Sequence, residues 1–256
     1  MSKDRLVTLD GGAAGKPRDQ IFADEQPLVK DFRFDSKTAQ VFDDMVGRSV
    51  PFYAEIQRMI GEIAADFATP GSTIYDLGCA TATTIFALDD KVDPEVAVVG
   101  IDNSAEMLAE AGHKLEAAGV SRPYKLIEAD IEAHGAYDNA SVVLMVLTLQ
   151  FIRPLQRQRV LDKVFAGLKT DGCLILVEKL NFSATLLNRL FIKYYYDMKR
   201  RNGYSDVEIS QKREALENVL VPYRPEENRA MLREVGFRHV EEFFRWYNFC
   251  GIIAVK

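Results

Sequence analysis

The chain has 256 residues, 48% of them hydrophobic, a formal net charge of −6 and three cysteines, Cys79, Cys173 and Cys250. That length supports one sizeable core, and without a run of about 18 uninterrupted apolar residues no membrane span is expected. The acidity disfavours direct nucleic-acid binding, and cysteines without CxxC or Cys/His spacing argue for a reducing compartment with neither a disulfide framework nor a metal site.

Met1 to Gln20 is polar and lacks the apolar stretch of a secretory leader, so a cytoplasmic setting is expected. Residues 1 to about 30, with Gly11, Gly12, Gly15 and Pro17, show no periodicity and read as a flexible N-terminal segment. Two helices follow. Val41, Phe42, Met45 and Val46 mark the first, and Ile56, Met59, Ile60, Ile63 and Phe67 the second, with Pro51 expected in the second helix's first turn.

Strands and helices then alternate. Thr73 to Leu77, Ala97 to Ile101 and Tyr124 to Glu128 read as short strands, and Ala105 to Ala118 as a helix capped by Ser104. Ser141 to Leu147 is a continuous apolar run, as a strand buried on both faces requires. Pro154 to Leu168 reads as a helix and Cys173 to Val177 as the fifth strand. Three helical stretches, Ala184 to Arg201, Ser205 to Val219 and Pro225 to Val235, precede two closing strands, His239 to Trp246 and Cys250 to Val255. The pattern predicts one α/β domain over residues 31–256. Its Rossmann-like, mostly parallel seven-stranded sheet ends in an antiparallel hairpin, with a helical insertion at about 184–235.

Candidate binding residues fall at the carboxyl ends of successive strands, where open α/β sheets hold ligands. Gly78 allows a sharp turn close to a ligand, Asp102 is placed to accept ribose hydroxyls, and Asp130 with Ile131 is placed to meet an adenine edge. A dinucleotide would favour GxGxxG for its pyrophosphate, but Ala80 and Thr83 stand where further glycines would be. A phosphate-free nucleoside ligand such as S-adenosylmethionine (SAM) fits better.

The chain resembles the carboxy-S-adenosyl-L-methionine synthases, enzymes of the class I methyltransferase fold, from about Phe34 to its C-terminus. The resemblance is carried by Arg48-Ser49-Val50-Pro51-Phe52-Tyr53, Tyr75-Asp76-Leu77-Gly78-Cys79, Ile101-Asp102-Asn103-Ser104 and Thr148-Leu149-Gln150-Phe151. Its most specific part is Lys199-Arg200-Arg201-Asn202-Gly203-Tyr204-Ser205 with Glu208-Ile209-Ser210-Gln211-Lys212-Arg213. It implies that SAM and prephenate yield carboxy-SAM and phenylpyruvate: a sulfonium ylide captures the carbon dioxide that prephenate releases, and the product serves tRNA wobble-uridine modification. It implies SAM contacts at Tyr53, Gly78, Cys79, Ala80, Asp102, Asn103, Asp130, Ile131 and Val146. It also implies a homodimer in which Arg200 reaches across to grip the new carboxylate. Two positions depart from the family, which has serine at Ala80 and usually asparagine at Val146. A conventional SAM-dependent methyltransferase and a non-catalytic SAM-binding protein are the alternative readings.

Overall fold

The computed structural model describes residues 17–256. Helices α1 (Ser36–Ser49) and α2 (Tyr53–Phe67) lead into strand β1 (Thr73–Leu77), α3 (Thr83–Asp89), β2 (Ala97–Asp102), α4 (Ala105–Ala118), β3 (Tyr124–Glu128) and β4 (Ala140–Val146). After them come α5 (Pro154–Gly167), β5 (Leu168–Lys179), α6 (Thr185–Arg201), α7 (Asp206–Leu216), α8 (Pro225–Val235), β6 (His239–Trp246) and β7 (Phe249–Val255). The seven strands form one sheet in the order β3-β2-β1-β4-β5-β7-β6. The first five run parallel, and β7 pairs antiparallel with both β5 and β6. The strand order reverses between β1 and β4, which opens a crevice at their carboxyl ends.

Local chemistry explains most boundaries. The Ser104 hydroxyl accepts from the Met107 amide to start α4, and Gly119 closes that helix in the left-handed region. Pro154 and Pro225 open α5 and α8, where a missing amide hydrogen costs nothing. Ser205 and Glu208 form a reciprocal capping box at α7. Along β4, Val142 and Leu144 enter the core shared with α2, α3 and α4, while Val143 and Met145 enter the core under α5 and α8. Layers on both faces make the strand apolar throughout.

Several expectations need correcting. Pro51 lies in the turn before α2, whose first residue is Tyr53, and Phe52 takes the left-handed conformation there. Helix α3 is added to the expected elements; it is seven residues long and carries no strong periodic signal. Strand β5 is longer than the apolar run suggests, because Leu168 pairs with Ala140 before a bulge. The closing hairpin turns on Tyr247 and Asn248, with Phe249 already in β7.

The expected N-terminal segment of residues 1–30 is described only in part. Residues 1–16 lie outside the described residues, but 17–30 are held down without forming a helix or strand. The Asp19 amide donates to Asp44 Oδ2 at 2.7 Å, Arg48 Nη2 donates to the Asp19 carbonyl at 2.9 Å, and the Tyr204 hydroxyl donates to Asp19 Oδ2 at 2.7 Å. Gln211 Nε2 donates to the carbonyls of Phe22 and Asp24, and the Phe22 side chain is buried. This strap ties α1 to the α6–α7 pair. No helix among the described residues is long and apolar enough to cross a membrane.

Candidate active site

The site is built on the turn that follows β1. The Ile101 carbonyl accepts from the amides of both Gly78, at 2.7 Å, and Cys79, at 3.1 Å. The chain therefore bends over the end of β2. A Cβ on Gly78, at φ +76°, would come within 2.6 Å of the Thr148 side chain, so glycine is required there for space as well as conformation. Ala80 and Ala82 also have positive φ, at 45° and 64°. Each left-handed alanine costs about 1–2 kcal/mol, and such strain persists only where the surroundings over-determine it.

Those surroundings are polar and specific. The Ala80 amide donates to Asp102 Oδ2 at 2.9 Å, and the Ser104 amide donates to Oδ1 at 3.0 Å. Asp43 accepts from Thr81 Oγ1 at 2.7 Å and from Lys114 Nζ at 2.7 Å, pinning the turn to α1 and α4. Asp43 and Lys114 escaped the sequence reading, because 71 residues separate them and no local pattern links them.

Burial and charge set the character of this edge. Asp76 is 1% exposed, and its Oδ2 is buried without a hydrogen-bond partner. Desolvation, reinforced by the Asp102 charge, pushes the Asp76 carboxyl up to about 7. Asp102 is also raised by burial, although the amides of Ser104, Ala80 and Asn103 oppose the shift. Among the described residues, no lysine or arginine forms an ion pair with either carboxylate. A cationic ligand would relieve both, and SAM carries a sulfonium and an ammonium. In the sequence Asp76 stands inside the Tyr75–Cys79 motif with no local signal of a role. Its position beside Asp102 was the missing signal.

The remaining expected residues are placed as follows. Cys79 is buried, and desolvation raises its thiol, so it behaves as a packing residue. Tyr53 packs on the same core, and its hydroxyl is raised by burial and by the charges of Asp43 and Asp76. Asn103 and Asp130 are exposed at the rim, and Asp130 Oδ1 accepts from the Glu132 amide two residues on. Ile131 packs at the edge of the second core cluster, and Val146, half-buried, ends β4. Arg200 is not among the groups gathered at the strand ends. It sits near the end of α6, where its guanidinium donates to Asp197 and Asp206 at 2.7 Å each, and its side chain is 45% exposed. No His/Cys/Asp/Glu group among the described residues has the arrangement of a metal site.

This sheet order, with its glycine turn and acidic second strand, defines the class I methyltransferase fold. A family model described as "Methyltransferase domain" matches residues 74–172. Solved structures agree on the fold. A SAM-dependent methyltransferase from Methanococcus maripaludis, described as putative by its authors, has a TM-score of 0.58 at 20% identity, covering 89% of this chain and 95% of that one. An O-methyltransferase from Nostoc punctiforme, also so described, has a TM-score of 0.61 at 16% identity, covering 86% of this chain and 59% of that one. Closer relatives are the carboxy-S-adenosyl-L-methionine synthases of Methylococcus capsulatus, 53% identical over 93% of this chain and 99% of its own length, and of Nitratiruptor sp., 41% identical over 93% and 98%. The chain belongs to the carboxy-S-adenosyl-L-methionine synthase family, whose members are SAM-dependent enzymes.

Two predictions follow from the acidic edge. Asp102→Ala is expected to weaken SAM binding by roughly tenfold to a hundredfold, the value of a charge-assisted hydrogen bond of about 1.5–3 kcal/mol. Calorimetric titration checks this, and unchanged affinity removes Asp102 from the ribose position. For Asp76 the raised carboxyl sets the sign. The native state keeps a proton that the unfolded chain releases, so stability falls as pH rises from about 4 to about 7. Asp76→Asn is expected to be more stable than the parent at pH 8, by roughly 1–4 kcal/mol, and equal to it near pH 4. Urea unfolding at both pH values measures this; equal stability at pH 8 contradicts it.

Proposed function

We propose that this chain makes carboxy-SAM from SAM and prephenate in the cytoplasm, as a homodimer, and that the product serves modification of the tRNA wobble uridine. The observation that carries the proposal is the 53% identity over 93% of the chain to a carboxy-S-adenosyl-L-methionine synthase. That span includes the α6–α7 segment with Arg200, which methyl transfer alone does not require.

In the proposed reaction SAM lies across the ends of β1, β2 and β3. Asp102 takes its ribose, the Asp130–Ile131 rim takes its adenine, and Gly78, Cys79 and Ala80 offer backbone to its amino-acid end. The desolvated Asp76 and Asp102 favour a cationic substrate. Val146 and Tyr53 give the reacting methyl an apolar wall that excludes water. Prephenate loses carbon dioxide and hydroxide as its ring becomes aromatic, leaving phenylpyruvate. The hydroxide takes a proton from the SAM methyl to give water, and the methyl carbon forms a bond to the carbon dioxide. Capture must outpace diffusion, so proximity supplies much of the acceleration.

Arg200 is assigned to the new carboxylate, which a guanidinium can hold with two parallel hydrogen bonds. It lies on the exposed end of α6, and we place it in the site of a second copy. The outer face of the same helix, with Leu186 71% and Leu187 48% exposed, is the proposed dimer contact. In the single chain Asp197 and Asp206 orient the fork.

Arg200→Ala is expected to leave SAM affinity nearly intact, to weaken retention of carboxy-SAM strongly and to abolish prephenate-dependent product. A substitution discriminates between two ligands only through a contact made with one of them. Arg200→Lys should rescue little, since an ammonium keeps the charge without the planar fork. Titration of both ligands into both variants decides this. Equal losses for the two ligands, or none, would mean that Arg200 does not read a carboxylate, and would favour ordinary methyl transfer.

A further inference from the structure

A second cluster of charge lies at the same sheet edge, over β5 rather than β1. Lys179 ends β5, Lys199 lies on α6 and Lys212 on α7, and the three line a cavity of about 170 Å³ together with the Tyr195 ring. Lys199 is 3% exposed and Lys212 7%. Lys212 Nζ is buried without a hydrogen bond; its nearest carboxylate is Asp19, at 3.6 Å. Among the described residues, Lys179 and Lys199 make no hydrogen bond or ion pair through their ammonium groups. Their neighbours are the faces of Tyr195, 4.8 Å from Lys179, and Tyr204, 4.9 Å from Lys199.

Three lysines around one cavity with so few acceptors, one of them with its ammonium buried and unbonded, are costly for a fold to hold without a ligand. Burial lowers Lys179 to about 8 and Lys212 to about 8. Burial and the charges of Lys212 and Lys179 together lower Lys199 to about 7. Other charged groups facing them are Asp19, Asp44 and Arg48 toward Lys212, Asp19 and Glu208 toward Lys199, and Arg213 and Glu217 on the cavity wall. The cavity shares Tyr196, Ile209 and Arg213 with the surface groove that contains Arg200. Across the sheet, Val146 at the end of β4 belongs to the same packed cluster as Tyr195 and Tyr196.

We propose that the Lys179–Lys199–Lys212 cavity is an anion-binding site that takes a small dicarboxylate bearing an apolar ring, with Tyr195 beneath the ring and the lysines on the carboxylates. The identification of that dicarboxylate as prephenate rests on the proposed function. The anion site itself rests only on the geometry. The cationic cavity over β5 is separate from the buried carboxyls of Asp76 and Asp102 at β1 and β2, so the sheet offers one place to an anionic carboxyl donor and another to a cationic acceptor.

The test uses the purified full chain and its Lys199→Met and Lys212→Met variants. Both substitutions keep the unbranched four-atom stem and remove the ammonium, and thermal unfolding should show that both variants fold. Each is expected to raise the prephenate KM, and the dissociation constant of malonate used as a ringless dicarboxylate probe, by roughly tenfold to a hundredfold. SAM affinity should be unchanged. Parent affinity for both anions should fall as pH rises through 7 to 8, because the lysines must then take up protons to bind them. Anion affinities equal to the parent's in both folded variants, or a matching loss of SAM affinity, overturn the proposal. If malonate binding depends on the lysines but prephenate gives no carboxylated product, the anion site stands and the prephenate reading falls. If prephenate is turned over with an unchanged KM in both variants, the site falls and the reading stands.

Discussion

The double hydrogen bond to the Ile101 carbonyl is the constraint from which the rest of the site follows. By accepting from both Gly78 and Cys79, it folds the end of β1 over the end of β2 and delivers the Ala80 amide to the Asp102 carboxylate. Gly100 permits this approach, because a Cβ there would meet Cys79 Sγ at 2.9 Å. The left-handed Ala80 and Ala82 are the local expense of the bend. Asp43 offsets it by fastening Thr81 to Lys114 on α4. Near the end of β1, burial beside the Asp102 charge pushes the Asp76 carboxyl up to about 7.

Charge is divided along this edge. Two desolvated carboxyls that pair with no cation among the described residues lie at β1 and β2, and three lysines with few acceptors lie over β5, α6 and α7. Each set is unfavourable alone in a low-dielectric setting, and each is complementary to one partner of the proposed reaction. A positively charged SAM and a doubly negative donor would each complete the half they meet. The N-terminal strap reinforces the cationic half, since Asp19 is both the acceptor of the Tyr204 hydroxyl and the carboxylate nearest Lys212.

Much of the fold was legible because its signals are local. Ser104 with the Ala105–Ala118 periodicity, Pro225 with Gly236, and the apolar run of β4 each carry their own punctuation and place α4, α8 and β4 closely. Helix α3 was illegible because it is seven residues long and opens on Ala82 without a side-chain cap. The anchoring of residues 17–30 depends on bonds to Tyr204 and Gln211, 185 or more positions away, which periodicity cannot register. The candidate site divides in the same way. Gly78 and Asp102 were readable from their places at strand ends, whereas Asp76, Asp43 and the lysine cavity are defined by what three-dimensional packing puts beside them. Arg200 drew attention only through family resemblance, since in the single chain it is an exposed arginine between two aspartates.

The reaction itself is most directly tested by incubating the purified chain with SAM and prephenate, denaturing it and weighing the nucleoside released. The account predicts a sulfonium heavier than SAM by one carbon dioxide, formed in step with phenylpyruvate and absent when prephenate is withheld. Recovery of only SAM or its demethylated product, with prephenate unconsumed, would contradict it.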